Sequence, residues 1–133
     1  MKLLATTTFV AFAHHAAVHA QEPAIDHARL LTAIQQVEGY AWSHPGGAYA
    51  IRLATWRQHT HLPYRYACIK EYADAWAVKH FGWLTRSLLA DGYAVTPYSL
   101  AMCWRYGLEG GKVRIGRPGF DYGHRAANLY HVR

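Results

Sequence analysis

Eight acidic side chains could donate or accept a proton in this chain, and one of them has no ordinary structural explanation. Most of the others are expected to start a helix, mark a turn or lie beside a lysine. Glu38 instead ends an apolar helical stretch, ARLLTAIQQVE, and has no lysine or arginine within eight residues on either side. The full set is Glu22, Asp26, Glu38, Glu71, Asp74, Asp91, Glu109 and Asp121. Glu38 is therefore the candidate catalytic residue.

A carboxyl group in apolar surroundings favours its neutral form, because burial penalises the charged one. A neutral carboxyl group can protonate a glycosidic oxygen, so this position predicts a general acid for sugar chemistry. The segment after Glu38 contains Tyr40, Trp42 and the turn GGAYAI. Aromatic side chains in a loop are seldom deeply buried, which makes Tyr40 and Trp42 candidate substrate contacts. The alternative is that Glu38 is only a surface residue at a helix end.

The hydrophobic pattern of the chain predicts helices and almost no strand. Apolar residues at spacings of one, three and four line one face of a first helix, which starts near Pro23 to Asp26 and ends at Glu38. Further helices are predicted over residues 53–59, 68–90, 97–107 and 122–130, with a glycine-rich exposed loop over residues 110–119. Their tryptophans are expected mainly in the core: Trp56, Trp76, Trp83 and Trp104. The expected fold class is a single all-α domain.

The N-terminus has the pattern of a secretory signal peptide. Lys2 precedes an apolar run, and Val18-His19-Ala20 offers a cleavage site. Residues 1–20 are therefore predicted to be removed, which leaves a domain over residues 21–133 that is exported to the periplasm or the extracellular space. The apolar run is too short to span a bilayer, so no membrane insertion is expected. The alternative is a buried N-terminal helix, for which the histidines of this segment are poorly suited.

Export affects how the charge and the cysteines are interpreted. The formal charge of +6 indicates an acidic partner, and outside the membrane the abundant polyanion is the cell wall rather than nucleic acid. Cys68 and Cys103 could form a disulfide in an oxidising compartment, or remain two free thiols, and the sequence does not decide between them. No metal-binding spacing of cysteine or histidine is recognised, so no metal or other cofactor is expected.

Three segments follow one another along the chain: VE…GGAYAI…ATW, then CWRYG, then DYGHRAANLY. Their order and spacing resemble the lysozyme-like superfamily, in particular the branch of lytic transglycosylases and goose-type lysozymes. Members of that branch carry a glutamate at a helix end, a GAYQ-like turn, a YNAG- or WNAG-like segment and a tyrosine in the last helix. The similarity covers about residues 24–131.

The resemblance implies a lysozyme-like helical domain in which Glu38 is the catalytic acid. It further implies that Gly47, Ala48 and Tyr49 form the turn beside the cleft. Tyr122 corresponds to the cleft tyrosine, and both tyrosines are implied to position the sugar by stacking and hydrogen bonding.

The chain departs from the family pattern at the positions of two amide side chains. Ala50 stands where the turn has glutamine, and Arg105 stands where the NAG-like segment has asparagine. Such amides are expected to hydrogen-bond the substrate, so Arg105 becomes a candidate substrate-binding residue. The loss of both amides removes donors to the reacting sugar, so the resemblance implies the fold more strongly than the catalytic activity.

The resemblance implies cleavage of the linkage between N-acetylmuramic acid and N-acetylglucosamine in peptidoglycan, by a monomer that needs no cofactor. Glu38 would protonate the linking oxygen and then act as the base. Two alternatives are a glycan-binding module that has lost the reaction, and a basic domain that contacts an acidic polymer or an envelope protein.

Overall fold

The structure is a computed structural model that describes residues 24–132. Within this range the chain forms α-helices of 4 to 21 residues and one 3-10 helix, Tyr64–Cys68, and no β-strand. The α-helices are α1 (His27–Glu38), α2 (Leu53–Trp56), α3 (Lys70–Ala90), α4 (Pro97–Tyr106), α5 (Leu108–Arg114) and α6 (Tyr122–His131). The all-α prediction is confirmed. The predicted signal peptide, residues 1–20, lies outside the described residues.

α1 begins and ends where the sequence predicts. The Asp26 side chain accepts a hydrogen bond from the main-chain N–H of Arg29 at 3.1 Å, which caps the first turn. Gly39 takes the left-handed conformation, with φ of 72°, and stops the helix directly after Glu38. The buried face of α1 carries Leu30 and Ile34, and α6 packs along the same helix. The fold therefore fixes Glu38 at a helix end next to the last helix of the domain.

The predicted loop over residues 110–119 is wrong in its first half, because α5 occupies Leu108–Arg114. Its glycines serve close packing rather than a loop: a Cβ on Gly111 would lie 2.7 Å from Cys103 Sγ. Lys112, half-buried in the same helix, forms an ion pair with Glu109 at 3.0 Å and another with Asp91. α5 therefore lies tightly against α4.

Two other helix boundaries also differ from the prediction. α2 ends at Trp56 rather than His59. α3 begins at Lys70 rather than at about Cys68, which is the last residue of the 3-10 helix. None of the helices in residues 24–132 is long and apolar enough to cross a membrane.

Aromatic side chains form much of the core. Trp56 and Trp76 are buried and their rings stack 5.8 Å apart, and the Trp76 indole N–H donates to the Trp56 carbonyl at 3.0 Å. Trp104 contacts Trp76 edge-on at 5.8 Å and is half-buried, as is Trp83. The prediction that these tryptophans are core residues is confirmed for the first pair, while the other two lie at the edge of the core.

The turn after Glu38 is held by two glycines with positive φ. A Cβ on Gly46 would lie 2.2 Å from the carbonyl oxygen of Ile51, and one on Gly47 would lie 2.0 Å from that of Ala67. Neither position has room for a side chain, so both require glycine for the turn to pack in this way.

Replacing Gly47 by alanine should lower the free energy of unfolding by about 3 kcal/mol or more, because left-handed strain adds to a collision with the Ala67 carbonyl. Gly39→Ala is the matched control: its φ is also 72°, but no atom lies within 4 Å of the added carbon. The control should cost only about 1 to 2 kcal/mol. Urea unfolding of both variants measures the difference, and equal losses would contradict the packing described here.

Two histidines form a direct hydrogen bond inside the domain. Nε2 of His59 lies 2.9 Å from Nδ1 of His80, and His80 is only 4% exposed. The His80 ring stacks on the rings of Trp76 and Trp83 at 4.7 and 5.7 Å. Burial, together with the charge of His59, lowers the pKa of His80 to about 4. His80 is therefore neutral in the folded protein at neutral pH.

Acidification should destabilise the fold through this pair. The unfolded chain takes up a proton on His80 near its ordinary pKa of 6.5, whereas the folded protein does so only near a pKa of about 4. The unfolded state binds more protons between these values, so stability is lost as the pH falls through them, by at most about 3 kcal/mol. His80→Gln should flatten this part of a plot of Tm against pH. The same substitution at the exposed His61 should not, and parallel profiles for both variants would refute the assignment.

Candidate functional site

The C-terminus of α1 and the N-terminus of α6 meet at one hydrogen bond. The hydroxyl of Tyr122 donates to Oε1 of Glu38 at 2.8 Å, across 84 positions of the chain. Glu38 is half-buried, and Tyr122 is 8% exposed. Burial raises the pKa of Tyr122 far above its ordinary value, and the neighbouring Glu38 raises it further. Tyr122 is thus a permanent hydrogen-bond donor to the candidate acid.

Arg105 brings a positive charge to the same place. Its guanidinium carbon lies 5.9 Å from the centre of the Tyr122 ring, and its charge partly opposes the rise in the pKa of Tyr122. The side chain is exposed, and its main-chain carbonyl accepts a hydrogen bond from Arg52 at 2.8 Å. Within residues 24–132, no basic nitrogen lies within 4.0 Å of the Glu38 carboxyl group. Arg105 and Glu38 therefore both contact Tyr122, but they form no ion pair with each other.

The aromatic residues that follow α1 lie at the surface, as predicted for a loop. Tyr40 is 44% exposed and lies flat on His44, with ring centres 3.7 Å apart and planes inclined by 4°. Trp42 is half-buried and meets the Tyr49 ring edge-on at 4.9 Å. Tyr40 is the exposed ring that is nearest to Glu38 along the chain. It can act as a stacking surface for a ligand.

Gly47, Ala48 and Tyr49 are buried, which contradicts the predicted sugar-stacking role of Tyr49. The burial of Tyr122 likewise contradicts stacking on its ring and leaves its hydrogen bond to Glu38. The Tyr49 hydroxyl donates to Asp74, and its main-chain carbonyl accepts from the indole N–H of Trp104 at 3.1 Å. Burial raises the pKa of Tyr49 far above its ordinary value, and Asp74 adds to the rise. Tyr49 is therefore a structural residue that links the turn to Asp74 and Trp104.

Asp74, which could have supplied a second carboxyl group, is engaged elsewhere. Lys70 donates to its Oδ2 at 2.6 Å, while Tyr49 donates to its Oδ1. In the sequence, Asp74 is indistinguishable from an exposed acid on a helix face, because its partner Tyr49 lies 25 positions away. The other candidate, Asp121, is exposed and directly precedes Tyr122.

Cys68 and Cys103 are both free thiols in the structure, so the disulfide that was considered is not formed. The thiol of Cys68 donates to the carbonyl of His44 at 3.3 Å, and that of Cys103 to the carbonyl of Leu108 at 3.8 Å. The two thiols thus bond different segments of the fold.

Comparisons of the chain with protein-family models, curated proteins and solved structures find no match. The resemblance to lysozyme-like proteins, and the activity that it implies, therefore stay predictions. What the site can do depends on the chemistry of the side chains around Glu38.

Tyr49→Phe should lower the free energy of unfolding by about 1 to 2 kcal/mol, because it removes a hydrogen bond to a charged group. Tyr40→Phe removes an exposed hydroxyl and should change stability by less than about 0.5 kcal/mol. Thermal and urea unfolding of both variants give the two values. A stability loss for Tyr40→Phe as large as that for Tyr49→Phe would contradict the different environments of the two rings.

Proposed function

We propose that this protein cleaves the glycan strands of peptidoglycan at the linkage between N-acetylmuramic acid and N-acetylglucosamine, with Glu38 as the acid. The observation that carries the proposal is the hydrogen bond from Tyr122 to Glu38. It joins the two residues to which the resemblance assigns the catalytic and the cleft role, although 84 positions separate them. The half-buried carboxyl group also retains access to solvent, which a substrate needs.

Proton transfer follows from the geometry of the pair. Oε1 of Glu38 accepts from Tyr122, so the other carboxyl oxygen is the one that carries the proton to the glycosidic oxygen. The bond between that oxygen and the anomeric carbon breaks, and a state resembling an oxocarbenium ion forms. The hydroxyl of Tyr122 stays protonated and stabilises the carboxylate that Glu38 becomes.

The second step uses the same carboxylate as a base. Glu38 takes the proton of the sugar's own 6-hydroxyl, whose oxygen bonds to the anomeric carbon and closes an anhydro ring. Retaining hydrolysis would need a second carboxylate about 5 Å away. Asp74 is held by Tyr49 and Lys70, which favours the anhydro product over that route.

Charge and the predicted export fit this substrate. The chain carries a formal charge of +6, and peptidoglycan presents carboxylates on its peptides. Tyr40 offers an exposed ring two residues beyond Glu38 on which a sugar can stack. Peptidoglycan lies outside the cytoplasmic membrane, where the predicted signal peptide would deliver the domain.

The second candidate is a wall-binding module of the same shape without the reaction. It is favoured by Arg105, which replaces a neutral amide and places a cation beside the tyrosine that bonds Glu38. A cation near a carboxyl group favours its ionised form, which cannot donate a proton.

Incubating the purified protein with peptidoglycan should release soluble fragments with anhydro ends, detected by mass spectrometry. Glu38→Gln should lower the rate by about a thousandfold, because general acid catalysis is lost while size is kept. Tyr122→Phe should lower it by about tenfold, since one hydrogen bond to the carboxylate is lost. The unfolding curve of Glu38→Gln should stay close to that of the parent, whereas Tyr122→Phe should lower the free energy of unfolding by about 1 to 2 kcal/mol, because a buried hydroxyl loses its hydrogen bond.

Three results would separate the candidates. Fragments without anhydro ends would identify hydrolysis. Sedimentation with the wall and no released sugar would favour the binding module. Release that is unchanged in Glu38→Gln would remove Glu38 from the mechanism.

A further inference from the structure

A cavity on another part of the domain is lined by indole rings and by one exposed arginine. It lies where α2 faces α3 and the junction of α4 and α5, and its volume is about 80 Å³. Trp83, Trp104 and His80 form the apolar wall, and the side chains of Arg52, Thr55 and Gln58 lie at the rim. None of these residues has a role in the proton transfer proposed above.

The volume limits what can enter. An engineered apolar cavity of about 150 Å³ accepts a benzene molecule, so this one takes a smaller group of a few heavy atoms. The wall suits an apolar substituent, because His80 is neutral at neutral pH and stacks with Trp83. What enters the cavity is therefore a small substituent of a larger ligand rather than a ring.

Arg52 gives the cavity its charge preference. One guanidinium nitrogen donates to the main-chain carbonyl of Arg105 at 2.8 Å, which holds the side chain in place. No Asp or Glu of residues 24–132 forms an ion pair with Arg52. The remaining N–H groups of a guanidinium held in this way suit a carboxylate.

The backbone at the rim is strained. Ala50 lines the cavity and has a φ of 53°, the one non-glycine residue of the described range with a positive φ. Residues other than glycine reach this region at a cost, and such strain persists mainly at functional sites. The strain is an observation independent of the charge and of the aromatic wall.

We infer that this cavity binds a carboxylate that carries a methyl group on the adjacent carbon, with the methyl group against Trp83 and Trp104 and the carboxylate on Arg52. Two components of peptidoglycan share this chemistry: the alanine terminus of a stem peptide and the lactyl group of muramic acid. The wall as the source of the ligand rests on the proposed function, whereas the preference for this group rests on the cavity alone.

The test follows the indole N–H signals of Trp83 and Trp104 by NMR during titration of the whole protein. N-acetyl-D-alanine and N-acetylmuramic acid are the acidic probes, and the carboxamides of the same two compounds, which keep the methyl group and lose the charge, are their matched neutral controls. At least one acid should shift both signals, and its neutral control should bind about tenfold more weakly or not at all. Which acid binds identifies the source.

Arg52→Gln should weaken binding of that acid about tenfold, because it removes the charge at an exposed position. Arg57→Gln is the control, since Arg57 is exposed at the opposite end of α2 and lines a different cavity. Equal binding of acid and neutral control, an effect of Arg57→Gln as large as that of Arg52→Gln, or no shift with either acid would overturn the inference. Glu38→Gln should bind the acid normally, so an inactive protein and an empty cavity give different results.

Discussion

The packing of Trp104 joins the turn that follows Glu38 to the cavity between α2 and α3. Its indole N–H donates to the carbonyl of Tyr49, and its ring contacts Tyr49 and His80 edge-on at 6.4 and 5.6 Å. One side chain thereby connects the turn that follows Glu38, the long helix α3 and the helix α4. Because Arg105 directly follows Trp104, the same contact determines where that guanidinium lies. Arg52 is linked to the same tryptophan, because its guanidinium donates to the carbonyl of Arg105 at 2.8 Å.

The helices themselves could be predicted because their signals are local. The apolar face of α1 repeats at helical spacing, and Gly39 ends it by a conformation that glycine adopts at little cost. The failure at α5 has an equally physical reason. Glycines usually indicate loops, yet Gly111 is needed so that two helices can approach at the Cys103 side chain, and a sequence does not distinguish these two uses.

The candidate site could be predicted only in part. The apolar helix end predicts Glu38 as the acid, and the resemblance implies the same role for Glu38 and a cleft role for Tyr122. The structure brings the two side chains into hydrogen-bond contact. The engagement of Tyr49 by Asp74 joins residues 25 positions apart, and the His59–His80 pair joins residues 21 positions apart. Such pairs leave no periodic trace in the sequence, because each depends on how a turn is packed against α3.

The close fit between Gly111 and Cys103 also has a chemical consequence. Burial raises the pKa of the Cys103 thiol to about 11, and only 1% of the residue is exposed to solvent. The thiolate is the form that attacks alkylating reagents and disulfides. It is scarce at neutral pH, and the neighbouring helix shields it here. Cys103 is therefore expected to react slowly while α5 stays packed against it. The rate at which this thiol is modified would therefore report on the opening of the junction between α4 and α5, with no added label.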